Sequence, residues 1–305
     1  MDVAKAKNVV ITLLIAFNIF LLVNNLTFVK GQGVRKETIQ NAEVILKNRG
    51  VSLECSIPTI PGGLHRLEYS YSKLDRQALA QTLLGSGYAV IGQEASSDQG
   101  VASVQDYEFE QGEKKLQFIS DTQFIYTDDQ PAAVIDMGSE EKIRKAAQQF
   151  LKEAGLLDGK YVVDSLVRGS AGGEGDEARA GSDDMDISGT RGGSVTVVFI
   201  ESFEGFPVFD NYAYVTLDQN GVLRLEYGKV RVNGFKQDSI ERFDAYQALL
   251  ARFKMGSNLI ITSIDSGYKL EDSSMNGVES VEMLPVWRVR IKGQSEPEYL
   301  YPYDL

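Results

Sequence analysis

Few residues in this chain have the type and spacing that chemistry requires. Asp184, Asp186, Ser188 and Gly189 match positions 1, 3, 5 and 6 of a calcium-binding loop, but position 12, where a bidentate glutamate belongs, is Val195. No helical pattern flanks the segment, so it reads as a solvated acidic loop. The single histidine, His65, and the single cysteine, Cys55, exclude a zinc site made of several such ligands. A Ser-His-Asp site would have to use His65, which follows a Pro-Gly-Gly turn. There is no Gly-x-Ser-x-Gly elbow, and no Ser-x-x-Lys accompanied by its partner signatures. The glycines of 169–175 lack dinucleotide-binding spacing, and Glu174 and Asp176 beside them would repel a pyrophosphate. Cys55 alternates with Leu53 and Val51 and has Glu54 next to it, which suits a small buried side chain better than a reactive thiol. Neither catalytic residues, nor a cofactor, nor a metal is expected.

The polar group in the most unusual setting is an amide. Residues 8–29 carry no charge and are flanked by Lys5, Lys7 and Lys30. As a helix they would extend about 33 Å, enough to cross a hydrocarbon core of about 30 Å. The stretch exceeds a usual signal core and no small-x-small site follows it closely, so an uncleaved signal anchor is expected. Asn18 falls at mid-span, where an amide gains roughly 1 kcal/mol by bonding another helix. Ile11, Leu14, Asn18, Leu22 and Asn25 share one face at helical spacing. That face is the expected partner-binding contact. The layout places residues 1–7 in the cytoplasm and the chain after residue 29 outside it, as a single-pass protein of the cell membrane.

Charge narrows the partners. Residues 1–36 carry five basic side chains and one acidic one, whereas the whole chain is at −12. The body beyond the anchor is therefore strongly acidic and repels nucleic acid and anionic lipid. With one cysteine no intrachain disulfide forms, and a body of this length does not need one.

The elements that position these residues follow a recurring unit: amphipathic helix, glycine stop, strand. It occurs at 36–50 before VSLECSI, at LDRQALAQTLLG before YAVIG, at SEEKIRKAAQQFLKEAG before KYVVDSLV, and at DAYQALLARFKMG before LIITSI. Asp75, Ser139 and Asp244 are the expected N-caps, with Gln247 completing a capping box. Between units, HRLEYSYSK, QDYEFEQGEKKLQFIS, TQFIYTD, FPVFDNYAYVTLDQNGVLRLEYGKV, LPVWRVRIKG and EPEYLYPYDL alternate like antiparallel strands, and the Asp-Gln-Asn-Gly turn marks a hairpin. Tyr212 and Tyr214, and Tyr299, Tyr301 and Tyr303, recur at period two, so each set shares a sheet face, suited to an interface or a half-buried core. The expected architecture is α+β: one N-terminal transmembrane helix, then an ectodomain of two related lobes (30–135 and 136–305) with antiparallel sheets and packed helices. The acidic, Gly-rich stretch 169–193 is expected to be a flexible loop between two strands.

The N-terminal Met1-Asp2-x-x-Lys5-x-Lys7 tail followed by a span containing Asn-Ile-Phe-Leu-Leu (18–22) resembles the YycI/YycH group, membrane-anchored regulators of the WalK–WalR two-component system of low-GC Gram-positive bacteria. The order of helix-strand units and hairpins is similar to the YycI type, and residues 206–221 and 285–291 resemble strands of PepSY and propeptide-like modules. The 169–193 insertion departs from that pattern. The resemblance implies a non-enzymatic regulator that touches a WalK-like sensor histidine kinase, and a sister YycH-like protein, through its membrane helix and ectodomain. Two other readings fit the residues: a PepSY-like module that binds or inhibits a secreted hydrolase or envelope ligand, and a membrane-tethered envelope enzyme.

Overall fold

The computed structural model describes residues 13–15, 17–19, 36–60, 64–91, 107–157, 160–168, 193–240, 244–270, 282–294 and 296–302. All four helix–glycine–strand units are present. Helix α1 (Lys36–Asn48) leads into β1 (Val51–Leu53), α2 (Arg76–Leu83) into β3 (Ala89–Val90), α3 (Glu140–Glu153) into β7 (Tyr161–Arg168), and α4 (Ala245–Arg252) into β12 (Leu259–Leu270). The glycines between them, Gly50, Gly85, Gly155 and Gly256, have φ of 87°, 94°, 71° and 84°. This is the left-handed conformation that ends a helix and that a Cβ disfavours.

Two of the expected caps form hydrogen bonds. Asp75 Oδ1 accepts from the Ala78 N–H at 3.0 Å, and Gln247 Oε1 accepts from the Asp244 N–H at 3.2 Å. Ser139 occupies the N-cap position in extended backbone without a side-chain bond, leaving Glu140 and Glu141 to face the positive end of α3.

The alternating runs form β2 (Leu64–Ser70), β4 (Tyr107–Gln111), β5 (Lys114–Phe118), β6 (Gln123–Asp128), β9 (Phe206–Asp218), β10 (Gly221–Gly228), β13 (Glu282–Ile291) and β14 (Glu298–Leu300); β8 (Val195–Phe203) is the strand that follows the acidic stretch, and β11 (Arg231–Ile240) is a further strand. In the β9–β10 turn, Asp218 Oδ1 accepts from the Asn220 and Gly221 N–H groups at 2.6 and 3.1 Å.

The strands join one sheet in the order β11-β2-β13-β12-β9-β10-β6-β5-β4-β3, with β1 added to β12, β14 to β13, and the β7–β8 pair to β9. The β1–β12 and β12–β9 pairings are parallel. The sheet is therefore mixed, which corrects the antiparallel expectation. Parallel neighbours lie far apart in sequence and leave no trace in hairpin spacing.

The β12–β9 link rests on a single register pair, Tyr268 with Val208, and it divides the sheet into two half-sheets. In one, α2 and α3 bury Leu83, Ile143 and Leu151 with Leu116, Phe124 and Leu225. In the other, α1 and α4 bury Leu46 and Leu249 with Trp287 and Val289. The half-sheets are nested along the chain. Elements α1 to β2 and β11 to β14 build the outer one, and everything from α2 to β10 is inserted between them. Position 135 falls inside that insertion, between β6 and α3.

In the outer half-sheet two repeat units lie side by side. Arg49, just past α1, donates from Nη1 to the Leu250 and Phe253 carbonyls at the end of α4, at 2.5 and 2.8 Å. The Gly256 N–H donates to the Arg49 carbonyl at 3.1 Å, and the Leu259 N–H to the Gly50 carbonyl at 3.2 Å. Of the apolar N-terminal stretch, residues 13–15 and 17–19 are helical and exposed. Among the described residues no helix is long and apolar enough to cross a membrane.

Candidate functional site

Leu14 and Asn18 of the expected contact face lie on helical backbone with exposed side chains. Ile11, Leu22 and Asn25 lie outside the described residues, as do Asp184, Asp186, Ser188 and Gly189 of the acidic loop, and Tyr303. Among the described residues of that face, neither Leu14 nor Asn18 is buried against another part of the chain.

The two tyrosine sets do converge. Tyr212 and Tyr214 stack with ring centroids 4.6 Å apart, and Tyr299 packs against Phe209 at 5.2 Å. Burial pushes the Tyr214 hydroxyl up from its ordinary value, and Tyr299, Tyr212, Glu296 and Glu226 nearby add to the shift. Burial also raises Tyr299, to about 12.

Their meeting place is the junction of the half-sheets, where three strands carry bulges. On β9 the register against β8 jumps between Ile200 and Glu201, so Phe209, Asp210 and Asn211 have no partner on that side. On β7 it jumps between Val163 and Ser165, leaving Asp164 as the extra residue. On β12 it jumps between Ile261 and Ser263. A bulge re-aims the side chain it releases: Asp164, Phe209, Asp210 and Asn211 make contacts at the junction, whereas Thr262, released on β12, donates to the Arg290 carbonyl within the outer half-sheet.

Asn211 is fully buried. Its Nδ2 donates to Glu201 at 2.7 Å and to the Val230 carbonyl at 2.9 Å, while its Oδ1 accepts from the Val230 N–H at 2.8 Å. Asp210 accepts from Lys269 Nζ at 3.0 Å and from the Leu270 N–H at 2.5 Å. The Phe209 ring sits 4.5 Å beneath the Arg288 guanidinium.

Arg288 is the centre of an ion-pair network. Its side chain is 4% exposed and that of Asp164 12%. It donates to Asp164 at 3.0 and 2.6 Å and to Asp265 at 2.9 and 2.5 Å. Arg290 donates to Asp164 as well. Burial works against the charged guanidinium, but the bonds and charges of Asp265 and Asp164 outweigh it, and the Arg288 pKa ends above its ordinary value. With these carboxylates bound to guanidinium donors, the arrangement binds strands to each other.

Sequence reasoning missed Asp164, Asp210, Asn211, Asp265, Arg288 and Arg290. The one available signal was Trp-Arg-Val-Arg (287–290), where two cations alternate with apolar residues inside a strand that reads as core. Elsewhere, Cys55 is half-buried and burial raises its thiol pKa. The Nδ1 of His65 is buried without a hydrogen-bond partner. Among the described residues no group of three or more His, Cys, Asp or Glu is placed to hold a metal ion. An open groove runs along Lys73, Asp75, Arg76 and Asp121, where both cations pair with Asp121.

The family model described as "YycI protein" matches residues 30–301. No curated protein matches the chain. The crystal structure of an uncharacterized protein from Eubacterium rectale ATCC 33656 is similar at a TM-score of 0.50 and 10% identity, over 83% of this chain and 87% of that one, and shares the fold. The crystal structure of YycH from Bacillus subtilis is similar at a TM-score of 0.48 and 13% identity, over 83% of this chain and 59% of that one.

Proposed function

The chain belongs to the YycI protein family, and from that membership we propose that it is a non-enzymatic, membrane-anchored regulator of a WalK-like sensor histidine kinase. The family match carries the reading, because it spans residues 30–301, nearly all of the chain beyond the apolar stretch. The uncharged run 8–29 supports an anchor, and mid-span Asn18 supports a helix–helix contact inside the bilayer. A YycH-like sister protein is the further partner of the extracytoplasmic body.

Such a regulator needs no reactive group. If it binds one signalling state of the kinase more tightly than the other, it moves their equilibrium by that difference in affinity. The test replaces residues 8–29 with an unrelated span and, separately, makes Asn18→Leu in the full-length protein, then measures kinase output at matched expression. The expected outcome is altered output in both. Unchanged output in both variants removes the contact mechanism.

A further inference from the structure

Backbone pairing contributes little where the half-sheets meet, since one register pair joins β12 to β9. Apolar side chains fill both faces of the junction: Val208, Tyr268 and Phe206 on one side, Ile200, Phe209 and Val286 on the other. Apolar burial is non-directional. Beside the Arg288–Phe209 contact, two carboxylates, Asp210 and Asp164, make hydrogen bonds between the half-sheets. Asp210 bonds Lys269 and Leu270 next to the Val208–Tyr268 pair itself, so it sits at the pivot. Asp164 acts away from the pivot. Its partners Arg288 and Arg290 are three and five residues along β13 from Pro285, the residue in register with Tyr268. That is about 10 and 17 Å at ~3.4 Å per residue.

Asp164 and its arginines also belong to different half-sheets: Asp164 to the β7–β8 hairpin of the inserted one, Arg288 and Arg290 to β13 of the outer one. Asp265, the second partner of Arg288, lies on β12 within the same half-sheet as Arg288. A buried ion pair adds little net stability over apolar packing, but its geometry is restrictive. We propose that Asp164 is a latch: its bonds to Arg288 and Arg290 select one orientation of the inserted half-sheet over β13, and their release lets the half-sheets turn about the β9–β12 junction.

The test uses the full-length chain in lipid nanodiscs with Cys55→Ala and spin labels at Lys47→Cys on α1 and Lys145→Cys on α3, one on each half-sheet. Pulsed dipolar spectroscopy of the parent should give one narrow distance distribution. Asp164→Asn should broaden it and add a second maximum, whereas Asp265→Asn should leave it unchanged. If Asp164→Asn does not fold, Arg290→Gln, which keeps the Asp164–Arg288 bonds, is expected to give a smaller broadening. A parent-like distribution in the variant measured, or equal broadening by Asp164→Asn and Asp265→Asn, overturns the latch.

Discussion

Asn211 shows how much one side chain holds at the junction. Asn211→Ala would strip a buried carbonyl and a buried N–H of Val230 of their partners, and each such group costs about 1–3 kcal/mol. A loss of about 3 kcal/mol is expected, read from the denaturant midpoint; a loss below about 1 kcal/mol would mean the site relaxes around the gap. Gly267 is constrained by space rather than by dihedral. A Cβ there would lie 2.5 Å from the Pro207 carbonyl oxygen and 2.6 Å from the Phe209 ring. Gly267→Ala is expected to destabilise by about 1–3 kcal/mol and to change the near-ultraviolet dichroism of the aromatic cluster. The buried phenols add a pH dependence. Tyr299 and Tyr268 are raised to about 12 by burial, whereas an unfolded tyrosine ionises near pH ~10. Between those values the folded chain keeps protons the unfolded chain has lost, so stability is full below about pH 10 and falls as pH rises through about 12. Denaturant curves at about pH 9 and about pH 11 check this, and equal midpoints would contradict it. The tyrosines were legible as same-face sets from their period of two. Their convergence with Phe209 and Arg288 was not, because it depends on which strands become neighbours.

The helices were legible in the sequence nearly whole, because local features specify them: an acidic or hydroxyl cap, an apolar stripe, a glycine stop. The caps differ in what they contribute. Asp75→Ala removes a bond to the Ala78 N–H and should cost about 1 kcal/mol, while Ser139→Ala removes no cap bond and should cost a few tenths at most. Thermal melts of the two variants separate these outcomes. Strands followed from alternation, but β11 escaped notice: Arg-Val-Asn-Gly-Phe-Lys-Gln-Asp-Ser-Ile is polar and holds Gly234, and its register against β2 shifts twice. The bulges that aim Asp164 and Asp210 were equally hidden. An extra residue in a strand is defined against its neighbour, here in the antiparallel pairings of β7 with β8 and of β8 with β9, and such a register shift leaves no mark in the strand's own alternation.

At the scale of the whole molecule, nesting decides the order of assembly. The inserted half-sheet is built from consecutive hairpins, β4–β5–β6 and β8–β9–β10, whereas closing the outer one pairs Val51 with Leu259 and Leu67 with Met283. Ends separated by so long a stretch of chain cost more entropy to join, and non-local contacts form slowly. Pulse-labelled hydrogen exchange during refolding should therefore protect amides of β9 and β10 before those of β1, β2 and β13; simultaneous protection would refute this order. The fold class was legible from the helix units and hairpins, but the nesting was not, since no local signal says that β2 waits for β13. Finally, Arg49 makes α1 more than a spacer after the N-terminal stretch. Gripping the carbonyl end of α4 and handing directly to β1 beside β12, it is a rigid coupling. A torque applied at residue 36 is delivered to β12, the strand of the outer half-sheet that itself meets the hinge, with no slack in α1 to absorb it.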